Sequence, residues 1–404
     1  MKCLATLTMM LTLCATQAEA QSSGERRDAT VAKLLARVDA LENELRALRK
    51  QDAPVREESS KPSSLLSQSV IGPEGEQSSF PQLKLRGFGD VEYRWADGGE
   101  NRNAFRIGGL DLFLTSQLSE NLSVLSESVI EADDSDRFGF EIERFLLQYN
   151  PREYLNVAVG RYHTAIGYYS TAYHHGKWLQ TAAARPKIFQ FEDDGGLLPI
   201  HNVGLSVSGA IPSGRLGLRY VVEVGGGRKY EPGEEGVQNL SDNNAFKAVN
   251  LALSVRPDWM PGWQAGGSVY FDKLNSSVVS GTVDQTIVSA HAVYLTPTVE
   301  WLTEGVLMRH ASDEGSFNSF GAYSQFSRRF GQFRPYVRYE YNYKNERDPI
   351  VLATVEPGRE QILALGVRYD FTELAALKLQ WERALIGNIE GARNEALLQL
   401  SFTF

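Results

Sequence analysis

From Leu83 to Phe404, apolar and polar residues alternate with period two, the pattern of strands that show one face to an apolar medium and the other to a polar one. The last run is the clearest. Ala396, Leu398, Leu400, Phe402 and Phe404 share one face, and Gln399, Ser401 and Thr403 share the other. In QFRPYVRYEYNYK, Phe333, Val337, Tyr339, Tyr341 and Tyr343 oppose Arg334, Arg338, Glu340 and Lys344. LKLQWE sets Leu377, Leu379 and Trp381 against Lys378, Gln380 and Glu382, and LGLRYVVEV sets Leu218, Tyr220, Val222 and Val224 against Arg219 and Glu223. Behind the apolar faces of these last three runs lie faces carrying charges of both signs. The pattern predicts about sixteen strands, near 83–95, 104–117, 120–131, 139–150, 153–162, 202–211, 214–224, 246–256, 262–273, 283–295, 297–310, 315–329, 332–345, 358–371, 374–387 and 393–404.

The connections choose the architecture. Tight turns at 118–121, 150–153, 212–215, 295–298, 330–332 and 370–373 alternate with longer polar loops at 96–103, 132–138, 225–245, 274–282, 346–357 and 388–392. A secreted β-sandwich has no reason to keep its short turns on one side. A closed outer-membrane barrel does, and closure removes the unpaired edges that strands this long would expose. Aromatics near strand ends (Tyr93, Trp95, Tyr149, Tyr154, Trp301, Tyr369, Phe371) fit interfacial girdles. The predicted fold is therefore all-β: a 16-stranded antiparallel transmembrane barrel over 83–404.

A different period governs the N-terminal part. Val31, Val38 and Leu45 occupy heptad position a, and Leu34, Leu41 and Leu48 position d. Arg37 at g faces Glu42 at e, and Glu44 at g faces Arg49 at e, which predicts a parallel coiled coil within 21–50. RVDALE, Arg37 to Glu42, resembles the Arg-apolar-x-x-apolar-Glu motif of short trimeric coiled coils, which implies a trimerisation helix. A lone amphipathic helix would not need matched e and g charges. Residues 51–82, rich in Ser, Pro, Glu and Gly, predict a flexible linker. Residues 1–20 predict a signal peptide: Lys2, an apolar run from Leu4 to Thr16, and the small-x-small site Ala18-Glu19-Ala20. Leu13 before Cys14 argues against lipidation there. Both cysteines, Cys3 and Cys14, fall in this signal, so the mature chain offers no thiol chemistry. No run of about 18 apolar residues predicts a spanning helix. The net charge of −9 excludes a nucleic-acid partner, which would require a basic face.

The C-terminal LLQLSFTF, ending in Phe404 after alternate apolar residues, resembles the assembly signal of bacterial outer-membrane proteins. With the signal peptide, the strand count and the coil, the chain resembles trimeric porins, in particular the phosphate-selective porin O/P group and the dicarboxylate-type porins. Gly160-Arg161-Tyr162-His163-Thr164-Ala165-Ile166-Gly167 matches the Gly-basic-x-x-x-x-Gly stretch that often closes their fifth strand. The resemblance implies a homotrimer in the outer membrane with a periplasmic coil, contacts to lipid and lipopolysaccharide, recognition of Phe404 by the barrel assembly machinery, and small hydrophilic solutes as cargo. The chain departs from the phosphate-selective pattern in having few lysines in its long loop and a net acidic charge.

The longest connection in the barrel, about 163–201, follows the fifth strand. In porins of this strand number, the resemblance implies that this loop folds inward and narrows the pore. Its candidate constriction residues are His163, Tyr168, Tyr169, Tyr173, His174, His175, Lys177, Trp178, Arg185, Lys187, Glu192, Asp193 and Asp194. Strand phase places Arg86, Arg144, Arg219, Arg334, Arg338 and Arg368 on the pore wall, against Asp90, Glu223, Glu300, Glu304, Glu340 and Glu382. That near balance predicts weak ion preference. No metal or other cofactor is expected, since the adjacent His174 and His175 point to opposite faces of an extended chain. Two alternatives to a diffusion channel are a barrel hydrolase, for which Ser170 near His174 or His175 is the one nucleophile candidate, and a tether joining membrane and cell wall.

Overall fold

In a computed structural model of the chain, the described residues are 80–97, 103–132, 137–173, 176–192, 195–229, 238–242, 244–387 and 391–404. The expected signal and coiled coil, and the linker up to 79, lie outside them. The rest forms a closed antiparallel barrel of sixteen strands in sequence order, sealed by β1 against β16. The strands are β1 (Gln82–Ala96), β2 (Ala104–Gln117), β3 (Leu122–Ala132), β4 (Phe138–Arg152), β5 (Leu155–His163), β6 (His201–Ala210), β7 (Leu218–Gly225), β8 (Ala248–Val255), β9 (Trp263–Asn275), β10 (Thr282–Leu295), β11 (Val299–Ser312), β12 (Gly315–Arg328), β13 (Phe333–Lys344), β14 (Gly358–Asp370), β15 (Ala375–Ile386) and β16 (Ala392–Thr403).

Period-two patterning maps onto the two faces as expected. Leu398, Leu400 and Phe402 are exposed outside, while Gln399 and Ser401 are fully buried inside. The seam pairs Phe88 with Thr403 through Ala96 with Glu395. Two backbone hydrogen bonds extend it to the last residue, Gly87 N to Phe404 O at 2.9 Å and Phe404 N to Gly87 O at 3.0 Å. The Phe404 ring lies where a Gly87 Cβ would stand.

Two features depart from the sequence reading. β7 begins at Leu218, later than expected, because Gly214–Leu216 form a 3-10 turn that Gly217 ends in left-handed geometry (φ 62°). The connection 346–357, read as a polar loop, contains helix α2 (Pro349–Thr354), with Asp348 as its N-cap and Pro349 in its first turn. Ile350 and Val351 on this helix are fully buried, so this connection turns inward.

Candidate functional site

The segment between β5 and β6 lies inside the barrel. Its feet, His163 and His201, pair directly in the β5–β6 ladder. The two glycines of the Gly160–Gly167 stretch each have a steric reason. A Cβ on Gly160 (φ +133°) would collide with the Phe145 carbonyl. One on Gly167 (φ +75°) would meet Glu304 and Phe189 at 2.6 and 2.8 Å.

An irregular loop in such a place carries backbone donors and acceptors that need partners. The charged inner wall supplies them. Glu223 on β7 accepts from Ala165 N at 2.9 Å. Glu304 on β11 accepts from Tyr168 N (2.5 Å), Tyr169 N (3.0 Å) and the Tyr323 hydroxyl (2.6 Å), holding the start of the short helix α1 (Tyr169–Ala172). Glu340 on β13 accepts from Lys187 N at 2.7 Å. Arg338 donates to Ala184 O (2.7 Å) and Arg185 O (3.3 Å) and pairs with Glu340 at 2.7 Å. Arg368 donates to Trp178 O (2.6 Å) and Gln180 O (2.9 Å). Lys378 donates to Lys177 O (2.5 Å) and Ala182 O (3.2 Å). Glu300 accepts from Thr181 at 3.0 Å and lies 3.7 Å from Arg334. These wall residues, all but Lys378 read from the sequence as pore lining, hold the loop's backbone and, at Glu300, its Thr181 side chain.

The loop also buries an apolar core against β8–β12. Ile166, Tyr169, Phe189, Leu198 and Ile200 pack with inward-facing Tyr270, Ile287, Leu302, Val306 and Met308 and with Val351. Tyr169 stacks on Phe189 (5.9 Å, 18°), and Tyr323 meets both edge-on. The Arg185 guanidinium sits over Phe191 at 3.9 Å and Tyr169 at 5.1 Å. Tyr168, Tyr169 and Tyr173 therefore brace the loop from within; they are buried rather than presented as stacking faces.

The remaining candidates divide. Trp178 stacks on Phe88 of β1 (6.3 Å, 27°). Lys177 is half-buried and Lys187 is exposed. Lys187 shares an electrostatic neighbourhood with Glu92, Arg94 and Glu382 around the Glu395 carboxyl, on which all four act. Arg94 pairs with Glu395 at 3.2 Å. Arg144 pairs with Glu127 beneath the Phe113 ring, Asp90 is buried beside Gly109 N, and Arg219 is exposed near the start of β7. Arg86 is half-buried on β1. His174, His175, Asp193 and Asp194 lie outside the described residues.

At the loop's feet a second cluster forms. His201 Nδ1 meets Glu192 at 3.0 Å and its Nε2 meets Glu143 at 2.5 Å. Burial alone would push the Glu192 carboxyl up, but His201 and Arg228 outweigh it and hold the group below the usual carboxylate range. Sequence reading missed Glu143 and His201 as site residues, and Tyr323, Tyr336, Lys378, Gln380 and Gln399 as wall anchors. One signal was present. Alternation fails at Thr286-Ile287-Val288 and Gly305-Val306-Leu307-Met308, where apolar residues occupy both faces because the loop covers the inner one.

No protein-family model matches the chain, and no curated protein matches it. Solved structures do. The outer membrane channel DcaP of Acinetobacter baumannii is similar with a TM-score of 0.57 at 10% identity, over 80% of this chain and 97% of that one. The anion-selective porin from Comamonas acidovorans gives 0.57 at 12% identity, over 80% and 100%. Outer-membrane expressed OmpT of Vibrio cholerae gives 0.53 at 12% identity, over 81% and 99%. At these identities the likeness is one of fold.

Proposed function

We propose that the protein is an outer-membrane porin, a passive diffusion channel for small hydrophilic solutes narrowed by the loop 163–201. The observation that carries this reading is the charged wall holding that loop by its backbone inside a closed sixteen-strand barrel. A barrel of this size leaves an aqueous channel unless something inside constricts it. The similar solved structures include a channel and a porin by title, which supports the same reading. The hydrolase alternative is weakened by the burial of Ser170, which keeps its hydroxyl from substrate. A homotrimer, with Val31, Leu34, Val38, Leu41, Leu45 and Leu48 forming its periplasmic seam, belongs to the same proposal. Purified protein added to a planar bilayer should give discrete conductance steps. Silent insertion would sink the channel reading and favour the tether.

Because most wall charges hold the loop, ion preference should rest on the few groups left near solvent. Lys187, Arg94, Glu92, Glu382 and Glu395 are among those charges. Lys187→Glu is expected to move the reversal potential in a KCl gradient toward cation preference, since it replaces one positive charge by a negative one in a confined space. A reversal potential equal to wild type would remove Lys187 from the ion path.

The outer band has its own test. Leu398 lies near the middle of β16 and faces outward beside Tyr93 and Leu379. Leu398→Arg is expected to destabilise the barrel in lipid vesicles by about 2–4 kcal/mol, the cost of a cation at the bilayer midplane. An unchanged urea midpoint would show that this face does not meet lipid.

A further inference from the structure

We propose that Glu143, His163 and His201 form a binding site for a divalent cation of the Zn2+ type, which would pin both feet of the inner loop to β4. His163 ends β5, His201 begins β6, and Glu143 stands on the neighbouring β4. One ligand atom from each lies within 4.8 Å of the others, and all three residues are buried. The two imidazoles meet edge to face, 4.9 Å between centroids. Two imidazole nitrogens and one carboxylate oxygen are a donor set suited to Zn2+, with a fourth position for water.

The surroundings also match what a metal-bound histidine requires. Glu192 accepts from the His201 backbone N–H at 2.9 Å and meets its Nδ1 at 3.0 Å. That contact fixes the ring and turns Nε2 toward Glu143, the carboxylate–histidine arrangement that orients a metal ligand. Asn239 donates to the same Glu192 at 3.3 Å and orients it in turn. Phe191 stacks on the His201 ring (5.5 Å, 23°) and walls off the group. Without metal, the His201 ring bridges Glu143 and Glu192. With metal, the cation would take the Nε2 lone pair and any proton there would be released, while Nδ1–H stays on Glu192. Glu192 is thus a positioning residue rather than a ligand.

The test uses the folded full-length barrel in detergent, stripped by a chelator and titrated with Co2+, then with Zn2+ as competitor. The expected result is one Co2+ per chain with the strong visible absorption of a four-coordinate nitrogen–oxygen site, displaced by Zn2+. Glu143→Gln and His163→Gln should abolish that band. Glu192→Gln should keep its shape and weaken affinity about 10- to 100-fold. A His174→Ala/His175→Ala variant should bind as wild type does. A wild-type spectrum of weak six-coordinate character, or no saturable uptake, overturns the proposal without any variant having to fold. Uptake that survives Glu143→Gln, or disappears in the His174/His175 variant, overturns it as well. Uptake is read without conductance, so this result and the channel result fail independently.

Discussion

Arg338→Ala is expected to lower the barrel's unfolding free energy by about 3–5 kcal/mol, the cost of removing one partner of a buried ion pair. Arg338 and Glu340 have exposures of 0% and 1%. Taking away the guanidinium leaves the Glu340 carboxylate buried beside its remaining donor, Lys187 N. It also strips hydrogen bonds from the carbonyls of Ala184 and Arg185. The same change should loosen the loop, seen as noisier and larger conductance steps. Arg338→Met/Glu340→Gln separates the two causes. It removes the unpaired charge, fills most of the volume and keeps an acceptor for Lys187 N, so a large part of the stability should return while the loop stays loose. Denaturant midpoints of folded protein decide it. A loss below about 0.5 kcal/mol for Arg338→Ala, the range of an ordinary surface change, would show that the pair holds nothing.

The barrel was legible because its signal is repetitive. Each of the sixteen strands repeats an alternation imposed by an apolar medium on one side and a polar interior on the other, so local errors do not accumulate. Leu377, Leu379 and Trp381 outside, with Lys378 and Gln380 inside, show how directly phase becomes face. The position of the inner loop was also legible, from its length after β5. The roles of individual charges were not. Arg338 on β13 and Arg219 on β7 look alike in a strand pattern, yet one is enclosed by loop carbonyls and the other is exposed. The difference comes from contacts about 150 residues apart in sequence, which no local period encodes. The foot cluster was hidden for the same reason. The sequence pattern offers the adjacent His174 and His175 for metal binding, whereas the ring brought between two carboxylates is His201, whose partner Glu143 belongs to another strand.

Replacing residues 167–197 by a short Gly/Ser turn is expected to raise single-channel conductance well above wild type and to flatten its ion selectivity. The ladder already continues past the feet through Thr164 N to Ile200 O at 2.8 Å, so a tight hairpin can close there without disturbing β5 or β6. The charged wall tolerates the loss: Glu304, Arg368 and Lys378 exchange loop backbone for water. The apolar patch does not. Tyr270, Ile287, Val306 and Met308 lose their cover, and each buried side chain of this kind is worth about 1.5–3 kcal/mol. The truncated barrel should therefore melt at lower temperature while conducting more, an opposition that a merely misfolded protein would not show. Heat-modifiable migration and strand circular dichroism establish that the truncated barrel is folded before it is recorded. Conductance equal to wild type in that folded barrel would mean that the constriction lies elsewhere, with the inward-turned α2 between β13 and β14 as the next element to remove.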